Sequence, residues 1–313
     1  MSTPPLFLRD RFQGCLLGLA LGDALGTSVE FMPRGSFEPL RGLRGGGPFA
    51  LPIGAWTDDT SMALCLAHSL LERQGFHPVD QMNRYVNWWR HGYLSSTGEC
   101  FDIGMTIARA LARYEADGEP FAGSSNPSSA GNGCIMRLAP VPMYYFDRPA
   151  ALMRYAVDSA RTTHGAAEAL DATGLLAAQL HLALAGADRH AVVRDHGYQA
   201  HTPAVAALAR ADWIELPYAA LSGSGYVIDS LQAALWCFFH GEDFAAATLA
   251  AANLGDDADT TAAVCGQLAG AHHGRSGLPA DWLAALVARE QIERLADRLY
   301  DERAQPEGAE EKQ

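Results

Sequence analysis

Basic residues are scarce in this sequence: 23 lysines and arginines stand against 36 aspartates and glutamates, which gives the 313 residues a net charge of −13. Nucleic-acid phosphates require a surface rich in lysine and arginine, so this balance argues against a nucleic-acid partner. An anionic ligand can still bind locally, through metal ions or backbone N–H groups. We therefore expect no DNA or RNA partner.

Membrane-spanning and secretory signals are also missing. No apolar run reaches the roughly 20 residues that a transmembrane helix needs, and the first ten residues lack a charged segment followed by an apolar one. The cysteines lie in alanine- and leucine-rich runs without a C-x-x-C pair, at positions 15, 65, 100, 134, 237 and 265. Such cysteines are typical of reduced core thiols. We expect a cytoplasmic protein without a membrane partner.

Strand patterns and interdomain linkers are absent as well. Clear period-2 alternation between hairpin turns does not occur, and no Pro/Gly/Ser-rich linker divides the chain. Apolar residues recur instead at helical spacing, over Arg11–Gly22, Met62–Leu71, Met82–Trp89, Ile103–Tyr114, Ala150–Ala160, Ala166–Leu184, Ile228–Phe239, Phe244–Leu254, Thr261–His272 and Trp282–Leu299. The sequence predicts one all-α domain of about ten or more helices over residues 8–303 and a disordered tail at 304–313.

Two segments contain too much glycine and proline for this helical pattern. Met32–Ala55 includes Gly45-Gly46-Gly47, and Gly118–Ala130 is rich in glycine, serine and proline. Long loops in a compact domain are commonly lids or binding loops. A flexible surface insertion explains the same composition equally well, so both interpretations stay open.

Two acidic clusters carry the strongest chemical signal. Thr57-Asp58-Asp59-Thr60 and Asp256-Asp257-Ala258-Asp259-Thr260 each precede a helix pattern and have no lysine or arginine within several residues. Helix capping is the ordinary explanation of one such cluster. A helix needs only one cap, however, and carboxylates gathered together usually protonate or hold a metal. We infer that the fold brings the two clusters together around hard divalent cations.

The ligand types restrict which metal this site takes. Oxygen-only ligands suit Mg²⁺, Mn²⁺ or Ca²⁺ rather than zinc or copper. An EF-hand that begins at Asp257 would have Ala262 in place of its glycine and Leu268 in place of its bidentate glutamate. Zinc is not supported either, because the only His-His pair lacks the H-E-x-x-H pattern.

Gly18–Glu30 interrupts an amphipathic helix in mid-pattern. A glycine inside a helix costs about 1 kcal/mol relative to alanine, and this segment has Gly22 and Gly26 around Asp23. Close helix packing explains one such glycine but not the acids that accompany it. We favour a segment that faces a site, with Glu30 as a movable acid or ligand.

Further polar motifs lie in loops and have ordinary alternatives. The Gly131-Asn132-Gly133 run precedes a helical stretch, where N–H groups and the helix dipole favour an anion, although it is equally compatible with a plain junction. His164 and Tyr226 could each bind a ligand or simply pack against the protein. If Tyr226 binds a ligand, its ring could stack on a nucleobase. Asp102 is either a helix cap or an acid near the site.

With these motifs in order, the sequence resembles the ADP-ribosylglycohydrolase family. Five segments occur in family order over roughly residues 11 to 274: G-C-L-L-G-L-A-L-G-D-A-L-G-T-S-V-E-F, W-T-D-D-T-S-M-A, S-S-A-G-N-G-C-I-M-R-L-A-P, T-T-H-G and G-D-D-A-D-T-T-A-A. The resemblance implies a compact orthogonal bundle of helices with a centre of two metal ions, Mg²⁺ or Mn²⁺.

The resemblance also assigns roles to residues. It implies metal ligation by six residues, namely Thr57, Asp58, Asp59, Asp257, Asp259 and Thr260. It implies catalytic roles for Glu30, Asp102, Asp58 and Asp259. It implies ADP-ribose binding by Asp102, Gly131, Asn132, Gly133, His164 and Tyr226. Asp102 matches an acid of the arginine-directed members.

The implied reaction is hydrolysis of the bond between ADP-ribose and a protein side chain, with free ADP-ribose as a product. We expect arginine as the acceptor, because a carboxylate near the leaving group can pair with guanidinium. Serine or another oxygen-linked acceptor stays possible, as do a non-catalytic ADP-ribose-binding protein and a two-metal phosphohydrolase. The sequence does not distinguish Glu30 from Asp102 as the group that transfers the proton.

Overall fold

The computed structural model describes residues 7–305, so residues 306–313 of the predicted tail lie outside the described range. Fourteen α-helices occur in this range. They are α1 Leu8–Gly26, α2 Asp58–Glu72, α3 Pro78–His91, α4 Met105–Asp117, α5 Pro140–Tyr144, α6 Pro149–Arg161, α7 Ala167–Ala185, α8 Arg189–Arg194, α9 Pro203–Ala209, α10 Val227–His240, α11 Phe244–Ala252, α12 Ala258–His273, α13 Ala280–Ala285 and α14 Arg289–Asp301.

Short 3₁₀ turns complete the secondary structure, at Thr27–Val29, Pro127–Ser129, Asp212–Glu215, Tyr218–Ala220 and Arg275–Gly277. Within residues 7–305 no strand forms, and extended backbone occurs only as four isolated bridges. The buried apolar residues form one cluster to which helices from both ends of the chain contribute. The predicted single-domain, all-α fold is confirmed.

Helices α1 and α12 form the antiparallel pair at the centre of the protein. A Cβ on Gly14, Gly18 or Gly22 would lie 2.2, 2.3 or 2.1 Å from the carbonyl oxygens of Gly270, Gly266 and Ala262, respectively. Glycine is therefore required for this backbone approach. The pairing places the C-terminal end of α1 beside the N-terminal end of α12, where Asp257 and Asp259 lie.

This packing corrects one interpretation of the sequence. Gly22, Asp23 and Gly26 do not break the first helix, which runs without interruption from Leu8 to Gly26. Gly26 faces Ala258 in the same way, since a Cβ there would lie 2.4 Å from the Ala258 carbonyl oxygen. Four glycines at a spacing of four residues thus form one contact face of the helix. Packing explains all of them rather than one.

The apolar character of α1 has the same origin. Leu8–Val29 spans 22 residues with a hydropathy of 1.2 and passes a length and composition test for crossing a membrane. This finding differs from the expectation that no run is long enough. However, 94% of the apolar window is buried inside the protein, and burial of this kind is typical of a core helix.

A second correction concerns the last predicted helix. The pattern Trp282–Leu299 is divided between α13 and α14, and Ala288 adopts a left-handed φ of 55° between them. The Val287 N–H donates to the carbonyl of Gly54, and the Val287 carbonyl accepts from the Trp56 indole. These tertiary hydrogen bonds replace the intrahelical ones, so the helix stops.

Candidate active site

The two acidic clusters meet at the N-terminal ends of α2 and α12. The Thr57 hydroxyl lies 3.2 Å from Asp259 Oδ2, and the Thr260 hydroxyl lies 3.3 Å from Asp59 Oδ2. All four side chains are buried. The fold therefore joins segments that are about two hundred residues apart in the sequence, as the acidic patterns predict.

In neither cluster does the side chain at the N-cap position cap its helix. Thr57 and Asp257 occupy the N-cap positions of α2 and α12, yet neither makes a side-chain capping hydrogen bond. The Thr57 hydroxyl donates to Asp23 instead, and Asp257 accepts from the Asn132 amide at 2.8 Å. The capping interpretation is wrong for both residues, because their polar atoms are directed toward other parts of the site.

Asp23 organises the first cluster from the opposite helix. This buried carboxylate accepts hydrogen bonds from the N–H groups of Thr57 and Thr60 at 2.8 and 3.0 Å. It also accepts from the hydroxyls of Thr57 and Thr60 at 2.9 and 2.5 Å. One side chain of α1 thereby fixes the first turn of α2. The sequence motif contained Asp23, but no role was assigned to it.

Glu30 and Asp102 approach the joined clusters from two loops. Glu30 follows the 3₁₀ turn Thr27–Val29, and Asp102 adopts a left-handed φ of 57° before α4. One carboxylate oxygen from each of Glu30, Asp102 and Asp259 lies within 4.8 Å of the others. The N-cap of α4 is Gly104, so Asp102 is not the cap of that helix.

The carboxylates change one another's acidity. Burial, reinforced by the charges of Asp102 and Asp257, raises the pKa of Glu30 to about 10. Burial is also the first cause that raises the pKa of Asp102 to about 7 and that of Asp23 to about 6. Burial and neighbouring negative charges also raise the pKa values of the four cluster aspartates, namely Asp58, Asp59, Asp257 and Asp259. Without a cation, this group resists full ionisation.

The residues present fit a hard cation. Asp59 Oδ1 and Glu30 Oε2 are buried and make no hydrogen bond within the described part of the chain. Orphaned buried oxygens are rare in folded proteins unless water or an ion satisfies them. Carboxylate and hydroxyl oxygens are the ligands that magnesium, manganese and calcium prefer. The donor set is therefore suited to these ions.

A cleft of about 740 Å³ opens above the carboxylates. Most predicted site residues line it, namely Glu30, Asp58, Asp102, Gly131, Asn132, Gly133, His164, Asp257, Asp259 and Thr260. Thr57 and Asp59 are buried behind this lining, where Thr57 holds the neighbouring acids. Phe31 and Met105 also line the cleft, although the sequence patterns did not point to either residue.

One wall of the cleft includes the backbone of the Gly131-Asn132-Gly133 loop. The Asn132 N–H donates to Gly225, whereas the Gly133 N–H makes no hydrogen bond within residues 7–305. A Cβ on Gly133 would lie 3.0 Å from the His164 ring. The loop is followed by turns rather than by a helix, since α5 begins only at Pro140. The predicted helix-dipole support is therefore absent.

His164 forms part of this wall as a neutral group. Its Nδ1 lies 2.9 Å from the Thr163 hydroxyl, which also accepts from Arg137. Burial, followed by the Arg137 charge, lowers the His164 pKa to about 3. Arg137 itself is buried, with its guanidinium 4.7 Å from the centre of the Tyr85 ring. It is therefore not a surface charge.

Tyr226 is the one predicted ligand residue whose side chain is directed elsewhere. Its backbone pairs with Gly131 beside the cleft. The hydroxyl, however, donates to Glu168 at 2.6 Å, and the side chain is partly exposed. The structure thus brings together twelve of the thirteen predicted site residues and places the Tyr226 ring at the edge.

Known proteins with similar sequences and a similar fold belong to one family. Residues 4–309 fit the family profile described as ADP-ribosylglycohydrolase. The ADP-ribosylarginine hydrolase Tri1 of Pseudomonas putida is 43% identical over 93% of this chain and 78% of that protein. The ADP-ribosyl-[dinitrogen reductase] glycohydrolase of Rhodospirillum rubrum is 33% identical, over 93% and 96% of the two chains. A solved structure titled ADP-ribosylglycohydrolase-related protein complex superposes with a TM-score of 0.84 at 46% identity, over 95% and 99%.

Proposed function

Because the chain belongs to the ADP-ribosylglycohydrolase family, we propose that it removes ADP-ribose from modified arginine side chains of proteins. This family membership confirms the resemblance predicted from the sequence. It also confirms that the protein is a hydrolase. The observation that carries the finer proposal is the convergence of both acidic clusters with Glu30 and Asp102 at one cleft.

Two divalent cations, Mg²⁺ or Mn²⁺, are part of this proposal. Their ligands would come from the two clusters, namely Thr57, Asp58, Asp59, Asp257, Asp259 and Thr260. The unpartnered oxygen of Asp59 and the mutual repulsion of the carboxylates support this assignment. When bound, such ions neutralise the acids, orient sugar hydroxyls and act as Lewis acids.

Glu30 and Asp102 are suited to the proton transfers. A glycosidic bond breaks through a state with oxocarbenium character, which neighbouring carboxylates stabilise. A general acid or base must be able to reach the atom at which it transfers the proton. Asp102 is only partly buried whereas Glu30 is buried, so Asp102 is the more accessible of the two to a leaving group. We assign the transfer at the leaving nitrogen to Asp102.

Charge decides the orientation of ADP-ribose in the cleft. The diphosphate is anionic, so it suits the wall of Gly133 and neutral His164, which carries no negative charge. A neighbouring pocket of about 250 Å³ shares Met105 and Thr106 with the cleft and is lined by Arg109 and Arg113. Within the described residues, neither arginine forms an ion pair. This electropositive side suits the phosphates.

Two observations favour arginine over the alternative acceptors. The relatives from Pseudomonas putida and Serratia proteamaculans are both named ADP-ribosylarginine hydrolases. Asp102 can also pair with a guanidinium group in a way that it cannot with a serine oxygen. A non-catalytic reader would need no such array of acids, and a phosphohydrolase would release AMP or phosphate instead of ADP-ribose.

The deciding experiment presents arginine-linked and serine-linked ADP-ribosylated peptides to the enzyme, with and without Mg²⁺ or Mn²⁺. We expect free ADP-ribose from the arginine-linked peptide only when the cation is present. Release of ADP-ribose only from the serine-linked peptide would show that arginine is not the acceptor. AMP would indicate phosphoryl chemistry, and turnover after complete metal removal would refute the role of the cations.

A further inference from the structure

Three phenylalanine rings form a row beside the acidic mouth of the cleft. The ring centroids of Phe31 and Phe49 are 6.4 Å apart, and those of Phe49 and Phe101 are 5.2 Å apart. Phe31 lines the cleft, and its side chain is 65% exposed. Phe49 and Phe101 are only half-buried. An accessible row of aromatic rings at a catalytic cleft requires an explanation, since burial does not account for it.

Each end of the row adjoins one of the two carboxylates at the cleft mouth. Phe31 directly follows Glu30, and Phe101 directly precedes Asp102. Phe31 adopts a left-handed φ of 62°, and its N–H donates to the Asp256 carbonyl at 2.7 Å. A non-glycine residue in this region is strained and persists only when its surroundings hold it. The backbone thus keeps the Phe31 ring at the cleft rather than in the core.

The middle ring comes from the glycine-rich segment Met32–Ala55. Phe49 lies in a tight turn closed by the paired residues Gly46 and Leu51, with N···O distances of 2.8 and 2.9 Å. Gly47 packs against the 3₁₀ turn before Glu30, where a Cβ would lie 2.2 Å from the Thr27 carbonyl oxygen. The segment is therefore anchored to the site, and Phe49 links the Glu30 loop to the Asp102 loop.

Cations are the ligands that this combination recognises. Aromatic faces attract a guanidinium group, which also stacks flat on a ring. Asp102, which directly follows Phe101 and is only partly buried, supplies the opposite charge. An anionic diphosphate is repelled from the same place.

We propose that Phe31, Phe49 and Phe101, together with Glu30 and Asp102, form the subsite that recognises the arginine side chain of the substrate protein. This assignment rests on the proposed function. The guanidinium stacks on the Phe31 ring, and Asp102 orients the nitrogen that leaves. A serine side chain offers neither a planar cation nor the length to reach the row, so the subsite selects arginine.

The test compares Phe31→Ala, Phe31→Leu and Phe31→Tyr with the wild-type enzyme. Phe31→Leu keeps an apolar side chain but removes the aromatic face, whereas Phe31→Tyr keeps that face. Phe121→Ala is the matched control, because Phe121 is an exposed aromatic residue that does not line the cleft. Each enzyme is assayed on the arginine-linked peptide, and ADP-ribose binding is measured by calorimetry.

For Phe31→Ala and Phe31→Leu we expect kcat/KM on the arginine-linked peptide to fall about five- to twentyfold, mainly through KM. Phe31→Tyr and Phe121→Ala should stay within about twofold of wild type. The Kd for free ADP-ribose should not change by more than about twofold in any variant. Phe49→Ala should reproduce the loss to a smaller extent, because the ring that supports Phe31 is removed.

Full activity of Phe31→Leu would overturn the assignment, since it would show that no aromatic face is needed. An equal loss of ADP-ribose affinity would also overturn it, because the ring would then support the sugar site. These failures concern the acceptor subsite alone when the wild-type enzyme cleaves the arginine-linked peptide. A wild-type enzyme that releases no ADP-ribose from that peptide would instead refute the proposed function, and the subsite with it.

Discussion

The Thr57 hydroxyl lies 3.2 Å from a carboxylate oxygen of Asp259, although 202 residues separate them in the sequence. The Thr260 hydroxyl makes the reciprocal contact with Asp59. These hydroxyls orient the acids but do not neutralise their charge. The clusters therefore meet in an arrangement that a divalent cation would stabilise.

Replacing Asp59 by asparagine keeps the shape of the side chain and removes its charge. We expect the Asp59→Asn enzyme to lose at least about a hundredfold in kcat, because a proposed metal ligand is lost. The Tm increase on adding Mg²⁺ or Mn²⁺ should shrink, since selective binding to the native state is its source. The Tm of the metal-free variant should equal or exceed that of metal-free wild type, because repulsion among the acids is relieved.

Peptide turnover and a thermal melt with and without the cation provide the measurements. Asp212→Asn is the matched control, because Asp212 is an exposed acid paired with Arg210. Its kcat and cation response should equal those of wild type. An Asp59→Asn enzyme that keeps both properties would contradict the binuclear site.

We predict that Asp23 affects cation binding indirectly, by positioning Thr57 and Thr60. Asparagine accepts through only one oxygen, so Asp23→Asn leaves part of the hydrogen bonding from Thr57 and Thr60 unsatisfied. We expect the apparent Kd for Mg²⁺ or Mn²⁺ to rise about 10- to 100-fold. Saturating cation should restore a large part of kcat, which a ligand mutant would not show.

Asp171 offers a control of the same kind far from the cleft. This buried carboxylate accepts from the Tyr198 hydroxyl, the His201 N–H and the Thr202 N–H and hydroxyl. Asp171→Asn should lower the Tm as Asp23→Asn does but leave the cation Kd unchanged. Equal cation affinities in the two variants would reduce Asp23 to a purely structural residue.

The stability of the metal-free protein should depend on pH in a defined direction. The pKa values of Asp23, Asp102 and Glu30 are raised in the folded state to about 6, 7 and 10. Between the ordinary and the raised value, the folded state binds more protons than the unfolded state, so the free energy of unfolding falls as pH rises. The contribution of these three acids to the free energy of unfolding is complete below about pH 4. It is lost progressively as the pH rises through their three raised pKa values.

Thermal melts in EDTA from pH 5 to 8 should therefore show a falling Tm. Added Mg²⁺ or Mn²⁺ should raise the Tm more at pH 8 than at pH 5, because ligands must be deprotonated to bind a metal. The Asp59→Asn protein should show a shallower slope in EDTA. A Tm that rises with pH in EDTA would show that the acids are not the dominant titrating groups.

The acidic clusters were predictable because grouped aspartates have few roles in a protein other than holding a cation. Asp58, Asp59, Asp257 and Asp259 lie in runs that no single helix cap requires, and the fold unites them as the sequence indicates. The partners of these acids were not predictable. Asp23 contacts residues 34 to 37 positions away. Its segment is predicted to face a site, but no local pattern identifies Thr57 and Thr60 as its partners.

Tertiary packing explains the other differences. In the sequence Gly22 resembles a helix breaker, but in the structure it packs against the backbone of Ala262. The helix pattern is interrupted at Ala288 because Val287 forms hydrogen bonds with Gly54 and Trp56 instead of within a helix. Phe49 lies in a loop whose composition suits either a lid or a flexible insertion. Its ring contact with Phe101, about fifty residues away, anchors this part of the loop, and local sequence contains no record of that contact.

The glycine contact between α1 and α12 leads to the last prediction. An added Cβ at residue 22 would lie 2.1 Å from the Ala262 carbonyl oxygen, which is backbone and cannot rotate away. We expect Gly22→Ala to lower the free energy of unfolding by about 1–3 kcal/mol or more through overpacking. The smaller conformational entropy of unfolded alanine offsets less than about 1 kcal/mol of this loss.

Gly104→Ala is the matched control for this change. A Cβ on Gly104 meets no heavy atom within 4 Å, and its φ of −66° suits alanine. Its Tm should stay within about 2 °C of wild type, whereas that of Gly22→Ala should fall by several degrees. Since the same contact places Glu30 beside Asp259, Gly22→Ala should also weaken Mg²⁺ binding at temperatures where it remains folded. A variant that loses stability but keeps the wild-type Mg²⁺ Kd would show that the site tolerates displacement of the two helices.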